Sequence, residues 1–474
     1  MNHAVTKKRV LLIEPRGPAE NVFSMFSGLP LLGPLYMGTL LKRMGHEVTL
    51  ISENLIGRGV ELLDLDADVL LLSCLTPTVE RGFEIASAFK RRNPRSLVVI
   101  GGPHVTFQTE EALRYADVVV CGEGEGVVGD IVAHGSAERV VQGSPVENLD
   151  DLPVIDFSIL RGRKNMKVFP IMTSRGCPHA CNFCCVTAMY GRRYRFQSAE
   201  RVLEELEQCD LDTAFFYDDN FIANPKRTHE LLERLLHRRK GPPRWMTCQS
   251  TTRLAHDPVL MEKMARAGFC RLYVGFESIS DLSLKCLNKH HSAEDVTRSI
   301  RAFHHYGLRV HGMFIMGTDE DTEETIRRTS QFVRRARVNT VQFMILTPLP
   351  GTPLYEDMQR ENRLIHNMWR YYDGAHVVFQ PRKMTPYRLQ ESVMESFEDF
   401  YSVFQSAGEA LEILADCAAR MASSVSSSRF GMPAVENALF KLGGMVIVKK
   451  FMRNNRRYMD FLRLLPGRLK GMYA

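Results

Sequence analysis

The chain has 474 residues, room for about three domains at ~150 residues each, with 45% apolar and 24% charged side chains. That composition excludes collagen-like, disordered and multi-span membrane classes. The net charge of +6 is uneven: residues 441–474 hold nine basic side chains and one acid, which leaves the rest of the chain at −2.

Eleven cysteines in a chain this long do not make a disulfide scaffold. The opening MNHAVTKKRVLLIEP lacks the apolar core and cleavage site of a secretory signal, so a reducing cytoplasm is expected. The longest apolar run near the tail, Met445 to Val448, is far short of the ~20 residues of a membrane-spanning helix.

From Arg9, short apolar runs alternate with amphipathic stretches: RVLLIEP, LLGPLYMGTLLKRMG, HEVTLISEN, ADVLLLSC, a helix around Arg81 to Arg92, SLVVIGG, a helix near Glu110 to Tyr115, and DVVVCGEGE. Five apolar strands separated by helices predict an α/β fold over residues 8–145, a parallel, doubly wound, Rossmann-like sheet with ligands at the strand carboxyl ends. Residues 146–162 combine a proline and four acids without periodicity and read as a linker.

A second βα series spans residues 163–385, with candidate strands VFPIMTS, DTAFFYDD, RWMTCQST, RLYVGFES, RVHGMFIMG and NTVQFMILTPL. Six units predict a partial (β/α)6, TIM-like barrel whose active face lies at the strand carboxyl ends. From residue 386 to 474 the pattern is helical, interrupted by the loop SSVSSSRFGMP. Its last segment interleaves Phe, Met, Leu and Val with Lys and Arg at helical spacing. A basic amphipathic helix suits an anionic membrane surface. The alternative is a helix packed on the barrel with a solvated basic face. No RNA-binding module accompanies the patch, so no nucleic-acid partner is expected.

Directly after the first strand of the second series comes RGCPHACNFCC, which sets Cys177, Cys181 and Cys184 in the spacing C-x3-C-x2-C. Soft thiolates favour iron–sulfur clusters or zinc, and three ligands leave one cluster iron open. A zinc knuckle completed by His179 or Cys185 is the alternative. At these residues the sequence resembles the radical S-adenosylmethionine (SAM) superfamily. The resemblance implies a [4Fe–4S] cluster on Cys177, Cys181 and Cys184, SAM chelated at the fourth iron, and reductive cleavage to a 5′-deoxyadenosyl radical. It also implies that Phe183 approaches the adenine, with ordinary packing as the alternative. Asp218 and Asp219, at the end of the second strand, would bind the methionine ammonium or substrate unless they form the loop. Glu277 would accept ribose hydroxyls, Arg253 would contact the carboxylate, and Gly312 and Gly317 would let adenine lie against backbone. LTPLPGTPLY is typical of one large branch of the superfamily.

LLLSCLTPTVERG followed by VVIGGPHVT resembles cobalamin-binding domains. That resemblance places Ser73, Leu75 and Thr76 in the loop that meets the corrin's nucleotide tail, and Gly101 and Gly102 where room is made for it. VVCGEGE, with Gly122, Glu123 and Glu125, is common in the same domain of cobalamin-dependent radical enzymes. The likeness to that subfamily runs over roughly residues 8–385. One element departs from it: the loop EPRGPAENVFSMFSG has no histidine, so the D-x-H-x-x-G element that ligates cobalt elsewhere is absent, and His46 and His104 lack its context. Cobalamin then binds without a protein histidine, or the domain is a vestigial platform.

The resemblance implies transfer of a methyl group from methylcobalamin to an unactivated carbon of a hydrophobic, lipid-like or secondary-metabolite substrate. It also implies an electron donor such as flavodoxin or ferredoxin, and with the basic tail it suggests a cytoplasmic enzyme peripheral on the inner membrane face. Cyclisation, carbon–carbon coupling and thiolation are alternative outcomes of the same radical. A non-enzymatic cluster- or zinc-binding protein is a third reading.

Overall fold

The computed structural model describes residues 6–18, 28–62, 65–238, 243–401 and 444–472, with side chains as far as residue 465. Seven strands form the first sheet: β1 (Arg9–Glu14), β2 (Glu47–Ser52), β3 (Val69–Ser73), β4 (Leu97–Gly101), β5 (Val118–Cys121), β6 (Val140–Gln142) and β7 (Leu160–Arg161). All are parallel, in the order β6-β5-β4-β3-β1-β2-β7. The strand order reverses at β1, between β2 and β3, and a crevice opens there at the carboxyl ends. The strands are near-continuous apolar runs because helices cover both faces.

Residues 146–162 are not a free linker. Leu149, Leu152, Ile155, Phe157, Ile159 and Leu160 are buried, and Leu160–Arg161 pairs with β2. The segment docks through 3-10 turns, whose apolar residues recur with neither the helical nor the strand period. Nothing in its sequence pattern reports that packing.

The second sheet begins with β8 (Phe169–Ile171), after which β9 (Ser174–Arg175) and β10 (Arg195–Phe196) form a small antiparallel ribbon. The sheet continues with β11 (Thr213–Phe216), β12 (Trp245–Ser250), β13 (Phe269–Glu277), β14 (Arg309–Met316) and β15 (Thr340–Ile345). These six strands pair in parallel in chain order, the open partial barrel that the spacing predicts. The intervening helices start where a short polar side chain accepts a first-turn N–H: Ser198, Asn224, Asp257, Ser292 and Thr322 each cap one.

Strand alternation gives this sheet two faces. Residues such as Ala214, Leu272, Val274, Val310, Phe314 and Phe343 are buried under the helices, while Phe215, Gln249, Tyr273, His311, Met313, Gln342 and Met344 alternate with buried neighbours and stay partly exposed. Phe215 stacks edge-on against Tyr217 and Tyr273, with centroids 5.2 and 5.3 Å away.

Helix Pro386–Phe400 closes one side of the barrel, and Tyr401 Oη donates to the Val341 carbonyl at 2.8 Å. In the tail, Val448, Phe451, Asn455, Tyr458, Leu462 and Leu465 form a buried stripe, and Tyr458 Oη donates to the Val377 carbonyl at 2.7 Å. Lys449, Lys450, Arg453, Arg456, Arg457 and Arg463 face solvent. The helix therefore packs on the body and presents a basic outer face. SSVSSSRFGMP lies outside the described residues. Among the described residues, no helix is long and apolar enough to cross a membrane.

Candidate active site between the two sheets

The carboxyl ends of β3, β4 and β5 and of the barrel strands β8 and β11 face one cleft that is open to solvent, with a cavity volume of about 270 Å³. One wall comes from the first sheet: Ser73 and Leu75 at and beyond the end of β3, Gly101 and Gly102 at and beyond the end of β4, and Gly122 to Glu125 after β5. The other comes from the barrel: Met172, Ser174, Arg175, Met189, Tyr190, Tyr217 and Asp219. The glycines are there for backbone reasons. Gly102 has φ 106°, and a Cβ on it would lie 2.6 Å from the Cys74 carbonyl oxygen, so β3 and β4 close up only without a side chain. Gly33, in the first turn of helix Leu32–Arg43, lines the cleft, and a Cβ there would meet nothing within 4 Å. Thr76 sits apart, buried in the 3-10 turn Thr76–Thr78 and outside the lining.

No histidine lines the cleft among the described residues. His46 is buried at the amino end of β2, opposite the cleft, and accepts the Lys8 N–H at 3.3 Å. His104 packs edge-on to Trp369 at 4.8 Å.

Residues 176–194 leave β9 and return on β10, and they carry all three spaced cysteines. Each of these thiols is half-buried and unpaired by disulfides. Burial pushes the Cys184 thiol up to about 12. The nearby cation is Lys289, whose ammonium is 2.9 Å from Glu277 Oε1 and 5.7 Å from the Phe183 ring centre. Burial opposes its charge, but Glu277 and Cys181 hold the ammonium above its usual range. Asn182 Nδ2 and Asn288 Nδ2 donate to the Cys286 and Ala180 carbonyls at 2.7 and 2.6 Å, which ties the cysteine excursion to the segment carrying Lys289. LTPLPGTPLY reaches the same place, with Leu354 N–H donating to the Asn182 carbonyl at 3.1 Å. Arg253 is exposed in the 3-10 turn after β12.

The two aspartates divide. Asp218 is fully buried and accepts the Thr173 and Ser174 N–H groups at 2.6 and 2.7 Å, together with the Thr173 hydroxyl. It anchors the chain as it turns toward the cysteines, which is the loop-forming alternative. Asp219 lines the cleft, and burial, then Asp218, push its carboxyl up to about 6 against the lowering effect of the Gly176 N–H. Glu277 ends β13 in the left-handed region, φ 61°, with its carboxylate on Lys289.

Three expectations need correction. Gly312 lies on the outer row of β14, where a Cβ would meet Phe314, Val338 and Phe276, so its small size serves helix packing and not a ligand. Gly317, at φ 103°, makes way for Phe379 and for Leu389 of the C-terminal region. Glu123 is not free to hold a cofactor: Arg175, Arg195 and the Val146 N–H occupy its carboxylate.

The radical SAM superfamily matches residues 171–333, and the B12 binding domain family matches residues 29–132. The chain belongs to the radical SAM enzymes that carry a cobalamin-binding domain. It is 27% identical to bacteriochlorophyllide d C-12(1)-methyltransferase of Chlorobaculum tepidum, over 84% of this chain and 88% of that one. Hopanoid C-3 methylase of Methylococcus capsulatus is 25% identical, over 76% and 75%. Anaerobic magnesium-protoporphyrin IX monomethyl ester cyclase of Cereibacter sphaeroides is 25% identical, over 72% and 61%. In fold, the chain is similar to the cobalamin-dependent SAM radical enzyme OxsB with aqua-cobalamin bound, at a TM-score of 0.66 and 16% identity over 95% of this chain and 80% of that one.

The cofactors of this family are a [4Fe–4S] cluster, SAM and cobalamin, and the residues present fit them. Three reduced cysteines at one barrel mouth supply three soft donors and leave the fourth position of a cluster open. For the corrin, the cleft wall at the carboxyl ends of β3, β4 and β5 is open, and at Gly33 beside it a Cβ would meet nothing within 4 Å. Sequence reasoning missed Lys289, Arg175 and Arg195. Their roles depend on contacts 12 to 72 residues away in the chain, and no local motif signals them.

Proposed function

We propose that this radical SAM enzyme methylates an unactivated carbon of an apolar, lipid-like or other secondary-metabolite substrate. The observation that carries the reading is the cleft lined by Met189 and Tyr190 of the cysteine excursion on one side and by the glycine-rimmed ends of β3, β4 and β5 on the other, with the three cysteines themselves outside the lining. When bound, the cluster with SAM supplies the carbon-activating radical and cobalamin carries the methyl group. Cys177, Cys181 and Cys184 would hold the cluster. Lys289 offers a half-buried cation for the SAM carboxylate, and Phe183 an apolar face for its adenine. Asp219 lies where it could take an ammonium. Ser73, Leu75, Gly101, Gly102 and Gly122 would flank the corrin without a protein histidine on cobalt. Met172, Met189, Tyr190 and Tyr217 give the barrel side of the cleft an apolar surface.

Phe215, Tyr273, Met313 and Met344, which share the partly exposed barrel row with Gln249, His311 and Gln342, support a largely apolar substrate with some polar groups, and the names of the two methylating relatives specify a bacteriochlorophyllide and a hopanoid. The cyclase relative supports ring closure as the second reading. A one-electron donor such as flavodoxin or ferredoxin belongs to either. The exposed basic face of the tail supports attachment to an anionic membrane, where an apolar substrate would be met.

The test is anaerobic turnover of fully loaded enzyme with deuteriomethyl SAM and an apolar cell extract. Methylation predicts both 5′-deoxyadenosine and S-adenosylhomocysteine, with labelled methyl in an extract component. Formation of 5′-deoxyadenosine with no label transferred would sink the methyltransferase reading in favour of ring closure.

A further inference from the structure

The cysteine excursion has a narrow neck, because Arg175 and Arg195 are direct register partners in the β9–β10 ribbon. Both guanidiniums close on one carboxylate of the other domain. Arg175 Nη1 donates to Glu123 Oε2 at 2.7 Å, Arg195 Nη1 to the same oxygen at 3.1 Å, and Arg195 Nη2 to Oε1. Arg175 Nη2 reaches Glu125 Oε1 at 2.6 Å, and its guanidinium carbon stands 5.8 Å from the centre of the Tyr36 ring. Tyr36 Oη in turn donates to Glu205, in the helix Ala199–Glu207 that follows the ribbon, at 3.3 Å. The four charged side chains at the neck are 4–8% exposed. Burial disfavours ionisation of Glu123, but Arg195 and Arg175 outweigh it and hold its carboxyl below the usual range.

Gly122, Glu123, Gly124 and Glu125 are also cleft lining on the corrin side. Gly122 is held at φ 80° and donates its N–H to Thr106 Oγ1 at 3.1 Å. A ligand that shifts this turn must carry two buried carboxylates with it. Those carboxylates cannot leave their arginines without stranding buried charge, so the neck moves too.

We propose that Glu123 is a positioning residue that transmits cobalamin occupancy to the cysteine excursion, so that filling the corrin side of the cleft orders residues 176–194 and tightens SAM binding. The proposal rests on cobalamin binding in this cleft. Coupling of this kind is reciprocal, so SAM tightens cobalamin by the same factor.

The test uses full-length protein in two states. In iron-free protein, amide hydrogen exchange of residues 176–194 is followed with and without hydroxocobalamin. In cluster-loaded protein, SAM affinity is measured with and without the corrin. Wild type is expected to gain protection and to bind SAM at least about fivefold more tightly. Glu123→Gln keeps the side-chain size without the charge. It is expected to bind corrin, as absorbance reads, while residues 176–194 stay unchanged and the SAM effect falls below about twofold. Glu123→Asp restores part of the response.

A Glu123→Gln protein that binds corrin and responds like wild type overturns the proposal. If Glu123→Gln does not fold, Arg175→Lys reads the same link, because one ammonium cannot fork between Glu123 and Glu125. A reduced response supports the proposal, and a full one overturns it. Wild type that binds no corrin defeats the functional reading and this inference together, whereas corrin binding without transmission defeats this inference alone.

Discussion

Asp218→Ala separates two roles for a residue that ends a barrel strand. The wild-type carboxylate satisfies two buried N–H groups, Thr173 at 2.6 Å and Ser174 at 2.7 Å, and the Thr173 hydroxyl. Alanine leaves both N–H groups without that acceptor in a fully buried place, at about 1–3 kcal/mol each, or about 2–6 kcal/mol in all. Urea unfolding should show a lower midpoint with unchanged slope, and reconstitution should load less iron per chain, because the anchored turn leads into Cys177. Asp218→Asn keeps Oδ1 for both N–H groups and presents its amide to the Thr173 hydroxyl, which can rotate to accept. It should lose only about 1 kcal/mol. A ligand role predicts the opposite pattern: wild-type stability in both variants, with SAM affinity lost in both. That outcome would refute the anchoring argument.

Cys181→Ala should abolish 5′-deoxyadenosine formation and lower bound iron, and continued formation would remove Cys181 from the cluster ligands. Burial lifts the carboxyls of Glu205 and Glu14 from the ordinary 4.5 to about 7, so between about pH 4.5 and 7 the folded chain holds protons that the unfolded chain has released. Stability therefore falls as pH rises through that window, by about 3 kcal/mol per group. Glu205→Gln should remove roughly half of that decline in denaturant midpoint between pH 5 and 7, and an unchanged slope would contradict the burial argument. Replacing Lys449, Lys450, Arg453, Arg456 and Arg457 with Gln leaves the buried stripe intact. It should release the protein from anionic liposomes by ~1 kcal/mol for each charge near the surface, and equal sedimentation of variant and wild type would end the peripheral-membrane reading.

The alternation of apolar runs and amphipathic helices was enough to read five of the seven strands of the first sheet and the six strands of the barrel, because each such element's period lies within its own residues, whereas β6 and β7 are too short to show one. The cysteine triplet was equally legible: three donors within eight residues need no distant partner to be recognised. The glycines after β4 and β5 were readable as a loop set, yet the sequence could not say that they and the cysteine excursion share one cleft.

Everything decided by long-range pairing required the tertiary structure. Residues 146–162 form β7 and a buried apolar edge because the first domain has a groove for them. Gly312 serves the helical layer because the pleat turns it outward. Asp218 is absorbed by backbone N–H groups, and Glu123 by two arginines, one 52 and one 72 residues away. A carboxylate in a motif looks the same whether it meets a ligand or a guanidinium. The chemistry was written locally in the cysteines, while Asp218 and Glu277 found their partners only when the barrel strands came together, and Glu123 only when the two domains closed on each other, since leaving such a charge unpaired is what folding cannot tolerate.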